Sequence, residues 1–337
     1  RFGNYNLYFE GTIDFNGHQL SRDIKSSSNT ILDYIGEKGI ITNLVLEIYM
    51  NNEIEKQNNY MLFTRNYGEI ENVIINIVES TKVPNGATKL LGYYNYGVID
   101  SFIINYKVPV YMGTQSLNMI RDNLGIIRNG YVCGLGNIQI GDVSSTQLAN
   151  VVYDNKEGAL VENVYVLTNN QLTNGTSATV CYFNNSGAKL RNIYSVDASS
   201  DNMDLTHGPN IYSNVSGNSE NIYYFDDKTF TSQYELKSTK LALWDTTFQN
   251  QILNSDNAFN VDELINQGYY PQLNMPDCMP NQEYLELPEV ENKDLADILS
   301  TEVLDQGSNT VKVRFVVNNP SAETITDISI ENLDCTI

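Results

Sequence analysis

The sequence predicts an all-β fold, a parallel β-helix with about 29 residues per coil. Three observations carry this reading: a turn that returns at a nearly fixed interval, a period of two in the residues that follow it, and a residue usage suited to strands. The stretch NYGEIENVIINIVES, residues 66 to 80, reads as a turn followed by an apolar strand. Its Asn66-Tyr67-Gly68 turn returns as Asn95-Tyr96-Gly97, Asn123-Leu124-Gly125 and Asn185-Ser186-Gly187. Widened forms are Asn155-Lys156-Glu157-Gly158 and Asn214-Val215-Ser216-Gly217. The glycines at 68, 97, 125, 158, 187 and 217 are separated by 29, 28, 33, 29 and 30 residues.

A second marker follows each glycine at Asn72, Asp100, Asn129, Asn163, Asn192 and Asn221. Two residues before it the side chain is apolar in most repeats (Ile70, Val98, Ile127, Val161, Leu190), and the residue directly before it is usually charged (Glu71, Arg128, Glu162, Arg191, Glu220). That is the alternation of a strand. Helical-pair repeats need a 3.6-residue period, and propeller blades are longer, at about 40 residues or more. The repeats here are rich in Val, Ile, Tyr, Thr, Asn and Gly, which fit short strands and tight turns. Stacking each repeat on the next as one coil is the remaining solution.

The recurring residues then have physical tasks. Glycine is expected to supply a positive φ at a turn made on every coil. Asparagine at a fixed point is expected to bond the asparagines above and below in an internal ladder. One residue after the marker the column reads Val73, Ser101, Gly130, Val164, Ile193 and Ile222; two after, it reads Ile74, Phe102, Tyr131, Tyr165, Tyr194 and Tyr223. The Tyr131/Tyr165/Tyr194/Tyr223 stack either faces inward as core or outward as an aromatic strip. A bend at the asparagine can reset the strand's parity, so both orientations stay open; core, or a surface ladder covered by neighbouring chain, is the expected reading.

Residues 1–232 are assigned to the β-helix. The segment FEGTIDFNGHQL, residues 9 to 20, is an early coil with Asn16-Gly17 as its turn, and His18 after it is structural. A polar KSSSNT loop and a strand-like IITNLVLEIYM run follow. Beyond about residue 226 the pattern stops. Leu241, Trp244, Phe248 and Ile252 then recur near the helical period, predicting one short amphipathic helix. With the segment behind it, the helix makes 233–288 a cap over the solenoid's open end, where unpaired strands invite aggregation. Residues 289–337 are a linker and the strands of a further, incomplete β module.

Composition narrows the partners. The 337-residue chain has 20 Lys+Arg against 41 Asp+Glu, a net charge of -21, and no basic stripe to follow phosphates, so no nucleic acid is expected. No apolar run is long enough to span a bilayer, so no membrane insertion is expected. Beginning at Arg1 with no signal peptide, the chain reads as a fragment, expected to be a monomer. Cys133, Cys181, Cys278 and Cys335 are widely spaced and show no metal-binding pattern; buried free thiols are expected.

At this point the motifs resemble a known class. FEGTIDFNGHQL resembles the opening of bacterial surface β-helices, and NYGEIEN, NYGVID and NLGIIRN resemble their GLUG repeat. The exit, from LWDTTFQNQIL through FNVDELINQGYYPQLNMPDCMPNQEYLELP, is similar to the end of the β-helix in surface zinc metallopeptidases of the immunoglobulin A protease class. The resemblance covers about residues 9 to 288. It implies a right-handed β-helix at the surface of a Gram-positive bacterium, extracellular or secreted, for display or recognition. It carries no catalysis over, because a His-Glu-x-x-His zinc helix needs two histidines one turn apart and this chain has only His18 and His207.

The expected function is therefore a non-catalytic domain binding host glycoprotein or glycan, as an adhesin or as the recognition or spacer region of a surface zinc peptidase. No catalytic, cofactor-binding or metal residue is assigned, no cofactor is expected, and ligand-binding residues are not identified. One alternative is a polysaccharide lyase or glycosidase, for which Asp197, Asp201, Asp204 and His207 in a single loop are the candidate cluster. Another is a purely structural stalk.

Overall fold

The structure, a computed structural model, describes residues 8–23, 30–50, 59–80, 88–108, 110–112, 117–134, 138–140, 147–168, 176–197, 210–225, 235–253, 257–288, 297–306 and 311–318. Most of the chain winds as a parallel β-solenoid, as the repeat predicts. A first sheet of 11 strands has as its spine Tyr8–Phe9, Leu32–Ile35, Phe63–Asn66, Thr88–Asn95, Leu117–Asn123, Val152–Asn155, Cys181–Asn184 and Ile211–Asn214, each beside the next. A second sheet of 10 strands runs through Thr12–Asp14, Ile40–Met50, Glu69–Ser80, Val98–Tyr106, Ile126–Gly134, Leu160–Thr168, Lys189–Asp197, Asn218–Phe225 and Leu236–Lys237. An Asn-x-Gly turn, or its four-residue form, joins the two sheets on each coil from Asn66 onward, whereas the Leu32–Ile35 coil turns through Ile35-Gly36.

That turn places an asparagine inside the tube, where a polar group needs partners. Asn66 Nδ2 donates to Asn95 Oδ1 at 2.9 Å, Asn95 to Asn123 at 2.9 Å, Asn123 to Asn155 at 2.9 Å, and Asn155 to Asn184 at 3.0 Å. All five are fully buried. The same amides reach carbonyl oxygens past the turn, such as Ile126 O from Asn95 and Leu160 O from Asn123, each at 3.2 Å. Each side chain thus fastens its own coil and the next.

A second ladder runs along the bend in the second sheet, with the opposite polarity. Asn163 donates back to Asn129, Asn192 to Asn163 and Asn221 to Asn192, at 3.0–3.1 Å. These residues have φ near +55°, a left-handed conformation that asparagine tolerates better than most residues. The bend position of the second repeat is held by Ser101 (φ 56°), not by Asp100. Asp100 belongs one residue earlier, in register with Glu71 and Arg128, yet its Oδ1 accepts from Asn129 Nδ2 at 2.7 Å and so stands in for the missing amide.

This corrects the two columns. Register makes the inner one Leu44, Val73, Phe102, Gly130, Val164, Ile193 and Ile222. Phe102 fills the space above Gly130, where a Cβ would lie 2.2 Å from its ring. Gly92 likewise accommodates Phe63 in the first sheet's inner column, where a Cβ would lie 2.1 Å from that ring. Large and small residues therefore complement each other between coils, at interior packing density.

The turn glycines do not all serve the expected purpose. Positive φ occurs at Gly158 (80°) and Gly187 (77°), both in four-residue turns, but not at Gly68, Gly97 or Gly125. There the reason is close approach: a Cβ on Gly97 would lie 2.0 Å from Gly68 O, and one on Gly125 2.1 Å from Gly97 O. The ladder residue at the fifth turn is Asn184, not Asn185, whose amide instead donates to Asn155 O at 3.0 Å. Asn16-Gly17 lies at a bend between Thr12–Asp14 and Gln19–Asp23 rather than at the inter-sheet turn. His18 beside it is exposed.

The predicted helix is two: α1 (Lys240–Trp244) and α2 (Thr246–Leu253). Asp245 breaks the run with extended backbone and caps α2, its Oδ1 accepting from Phe248 N at 3.0 Å. With α3 (Asp262–Asn266) these helices pack along the flank of the second sheet rather than only over its end. Closure of the last coil falls to Leu236–Lys237, which adds a rung, and to Glu235, whose carboxylate accepts from Ile211 N and Asn210 Nδ2. An antiparallel pair, Asp297–Gln306 with Val311–Asn318, follows in the region expected to begin a further β module.

Replacing Gly125 by Val is expected to lower stability by about 3 kcal/mol through overpacking. Gly158→Ala, at a turn with no atom within 4 Å of the new Cβ, is expected to cost only about 1 kcal/mol from its left-handed backbone. Thermal unfolding of the two variants checks the order. Asn123→Ala leaves Asn95 Nδ2 and Asn155 Oδ1 without their ladder bonds, and is expected to cost about 2–4 kcal/mol in the same assay.

Candidate functional site

Residues that point out of the tube decide what the solenoid can bind. On the second sheet these are Val45, Ile74, Ile103, Tyr131, Tyr165, Tyr194 and Tyr223, in one row. The tyrosines stack, with centroids 6.2 Å apart for Tyr131 and Tyr165 and 5.5 Å for Tyr165 and Tyr194. The row is buried, because Leu241, Phe248, Ile252, Ile265, Tyr270, Leu273 and Met279 pack across it. Phe248 meets Tyr194 and Tyr223 edge-on, and Ser238 Oγ lies 2.7 Å from the Tyr194 hydroxyl. Burial raises the pKa of all three central phenols. This covering segment, the strap (residues 235–253 and 257–288), reaches back from the last coil to the first, where the Cys278 carbonyl occupies the place a Cβ on Gly17 would take. This is the covered ladder among the sequence alternatives.

The outer face of the first sheet is different. Its register row reads Tyr8, Tyr34, Arg65, Tyr94, Asp122, Asp154, Phe183 and Ser213. Beside it run the middle residues of the turns, beginning Tyr67, Tyr96 and Leu124. Tyr67 and Tyr96 stack nearly parallel, 4.7 Å apart and 7° between planes, and are 38% and 39% exposed. The Arg65 guanidinium lies between Tyr34 and Tyr94, 5.1 and 5.7 Å from their centroids, and donates to the Tyr34 hydroxyl. Tyr8 extends the strip and bonds Glu10 at 2.6 Å, which raises its phenol pKa.

Next along the same face is an ionic cluster. Arg121 contacts Asp122 at 2.6 Å and Asp154 at 3.7 Å, and Lys156 and the Asn185 amide also reach Asp154. Burial, ahead of the neighbouring cations, sets the sense of the Asp122 shift, upward. Arg121 also lies 4.0 Å over the Tyr153 ring, which begins a second stack through Tyr182 to the exposed Tyr212. The face thus offers flat rings, a fixed guanidinium and hydrogen-bonding carboxylates along one line. Such a surface can stack against the C–H faces of sugar rings and bond their hydroxyls.

Within the cluster Asp197, Asp201, Asp204 and His207, Asp197 ends the strand Lys189–Asp197 and the other three lie outside the described residues. Cys335 lies outside them too. Cys133 is half-buried, Cys181 buried and Cys278 exposed, all as free thiols, so the expected burial does not hold for Cys278. Among the described residues, no group of three or more His, Cys, Asp and Glu side chains is placed to hold a metal. No helix among them is long and apolar enough to cross a membrane. An open polar depression on the strap is lined by Thr246, Thr247, Asn250, Gln251, Asp262 and Asn266.

Sequence reasoning singled out none of the first sheet's aromatic residues. A signal was present: a tyrosine between the Asn and Gly of a tight turn has nowhere to point but outward. No family model, curated protein or solved structure matches the chain.

Burial pushes the Cys133 thiol up to about 11 and the Cys181 thiol well above its ordinary range. In a Cys335→Ser background, iodoacetamide at pH 8 is therefore expected to label Cys278 first and Cys181 only after unfolding. Peptide mapping of the labelled thiols checks the order.

Proposed function

We propose that the chain is a non-catalytic extracellular recognition domain that binds a glycan, free or on a host glycoprotein, along the outer face of its first sheet. The observation that carries this is the exposed, coplanar Tyr67–Tyr96 pair beside an arginine held between two further tyrosines. Coils advance by about 4.8 Å, so the rings form a straight strip suited to an extended chain of sugars rather than to one small molecule. The strap supports the reading by contrast: the apolar row on the second sheet is covered by the protein itself, whereas this strip is left to solvent. The acidity of the chain fits a neutral rather than a polyanionic ligand. The resemblance of residues 9 to 288 to surface β-helices supports a place outside the cell, as an adhesin or as the recognition region of a larger peptidase.

A stalk that only spaces other domains would need no such strip. Screening the protein on a glycan and mucin array, then measuring a hit by calorimetry, separates the two. Tyr67→Ala with Tyr96→Ala is expected to weaken binding at least tenfold, about 1.4 kcal/mol, with little change in melting temperature. No binding across the array, or full binding by the double variant, would contradict the reading.

A further inference from the structure

Arg65 stands in the middle of the exposed aromatic strip, yet no carboxylate among the described residues meets it. Elsewhere on the solenoid arginines are matched: Arg121 contacts Asp122 and Arg128 contacts Asp100, each at 2.6 Å, and Arg191 contacts Glu162 at 2.5 Å. With 41 Asp+Glu against 20 Lys+Arg, acidic neighbours are plentiful in this chain. Arg65 instead donates from Nη1 to the Tyr34 hydroxyl and lies between the Tyr34 and Tyr94 rings, 5.1 and 5.7 Å from their centroids. Ring faces attract the cation but do not neutralise it.

That setting fixes what the guanidinium can still bind. Arg65 is partly exposed, and apart from the bond to Tyr34 its N–H groups have no hydrogen-bond acceptor among the described residues. The donors all lie in one plane, and a carboxylate takes two of them side by side within that plane. A tetrahedral sulfate or phosphate ester directs oxygens above and below the plane, toward the negative faces of the two rings. The Tyr96 centroid is 6.1 Å from that of Tyr94, so a sugar stacked on Tyr67 and Tyr96 can bring a substituent of its own ring, or of the next, to Arg65.

The strip also limits the number of such groups. In one direction Arg121 and Lys156 are already paired with Asp122 and Asp154, and in the other the strip ends in Tyr8 and Glu10. A net charge of -21 opposes a polyanion along its whole length, whereas one carboxylate seated at Arg65 meets a local positive charge.

We propose that the glycan bound along this strip carries a single carboxylate, as one acidic sugar in an otherwise neutral chain, and that Arg65 is the residue that selects it. The inference rests on the recognition reading above and narrows it to a ligand class.

An array of glycans in three matched forms, neutral, with one uronic or sialic acid, and with one sulfate ester, tests the proposal on the full chain, with calorimetry at low salt on the tightest set. The carboxylate form is expected to bind about tenfold more tightly than the neutral form, and the gap to narrow as salt rises. Arg65→Gln is expected to remove the gap while leaving the neutral form's affinity within about twofold, and Arg65→Lys, which keeps the charge without the planar fork, to retain only part of it. Equal wild-type affinity for the neutral and carboxylate forms, or tighter binding of the sulfate ester, overturns the inference and leaves the glycan reading standing. So does an Arg65→Gln protein that keeps the full gap. Binding to none of the three forms contradicts the glycan reading itself, and the inference falls with it.

Discussion

An asparagine turned into the tube on each coil from Asn66 to Asn214 is the constraint on which most of this structure depends. The turn between the two sheets leaves carbonyl and amide groups in a dry interior, and leaving even one unbonded there costs about as much as a core truncation. The carboxamide has both a donor and an acceptor, so it satisfies the turn and still reaches the next asparagine. Coil spacing, register and the direction of every inner side chain follow from that repeated bond. The glycine two residues on is coupled to it, since the coils can close to bonding distance only where no Cβ intervenes at Gly97 and Gly125.

The two sheets then diverge in use. At the second, the left-handed bend carries the ladder of Asn129, Asn163, Asn192 and Asn221 and rotates the residue two positions on to the outside. A tyrosine there would be a sticky stripe, and the strap of residues 235 to 288 buries it, supplying Phe248 and Tyr270 as its main aromatic partners. At the first sheet no described segment covers the tyrosines between Tyr8 and Tyr96, and the same stacking geometry becomes a surface. Cover, rather than composition, separates a core from a site in this fold.

The fold was legible because its period is written in turn residues, which are set by local sterics. What was not legible depended on phase and distance. Asp100 occupies the sequence place of the bend residue, and only the strand register reveals that Ser101 makes the bend while Asp100 supplies the missing bond. Asn184 and Asn185 are indistinguishable in sequence, yet one lies in the ladder and the other outside it. Two causes operate at the glycines, and positive φ and close approach select the same residue, so the sequence does not separate Gly158 from Gly125. The aromatic strip escaped notice since Tyr34, Arg65 and Tyr94 come together only through stacking of coils about 30 residues apart.

Hydrogen exchange of the asparagine side-chain amides, followed by NMR on the folded protein, tests the central role of the ladder most directly. The Nδ2 protons of Asn95, Asn123 and Asn155 should be protected to the same degree as the backbone amides of the strands that flank them. Exchange of those protons at the rate of a solvent-exposed carboxamide, with the strand amides still protected, would show that the coils are held together without the ladder and would contradict the account.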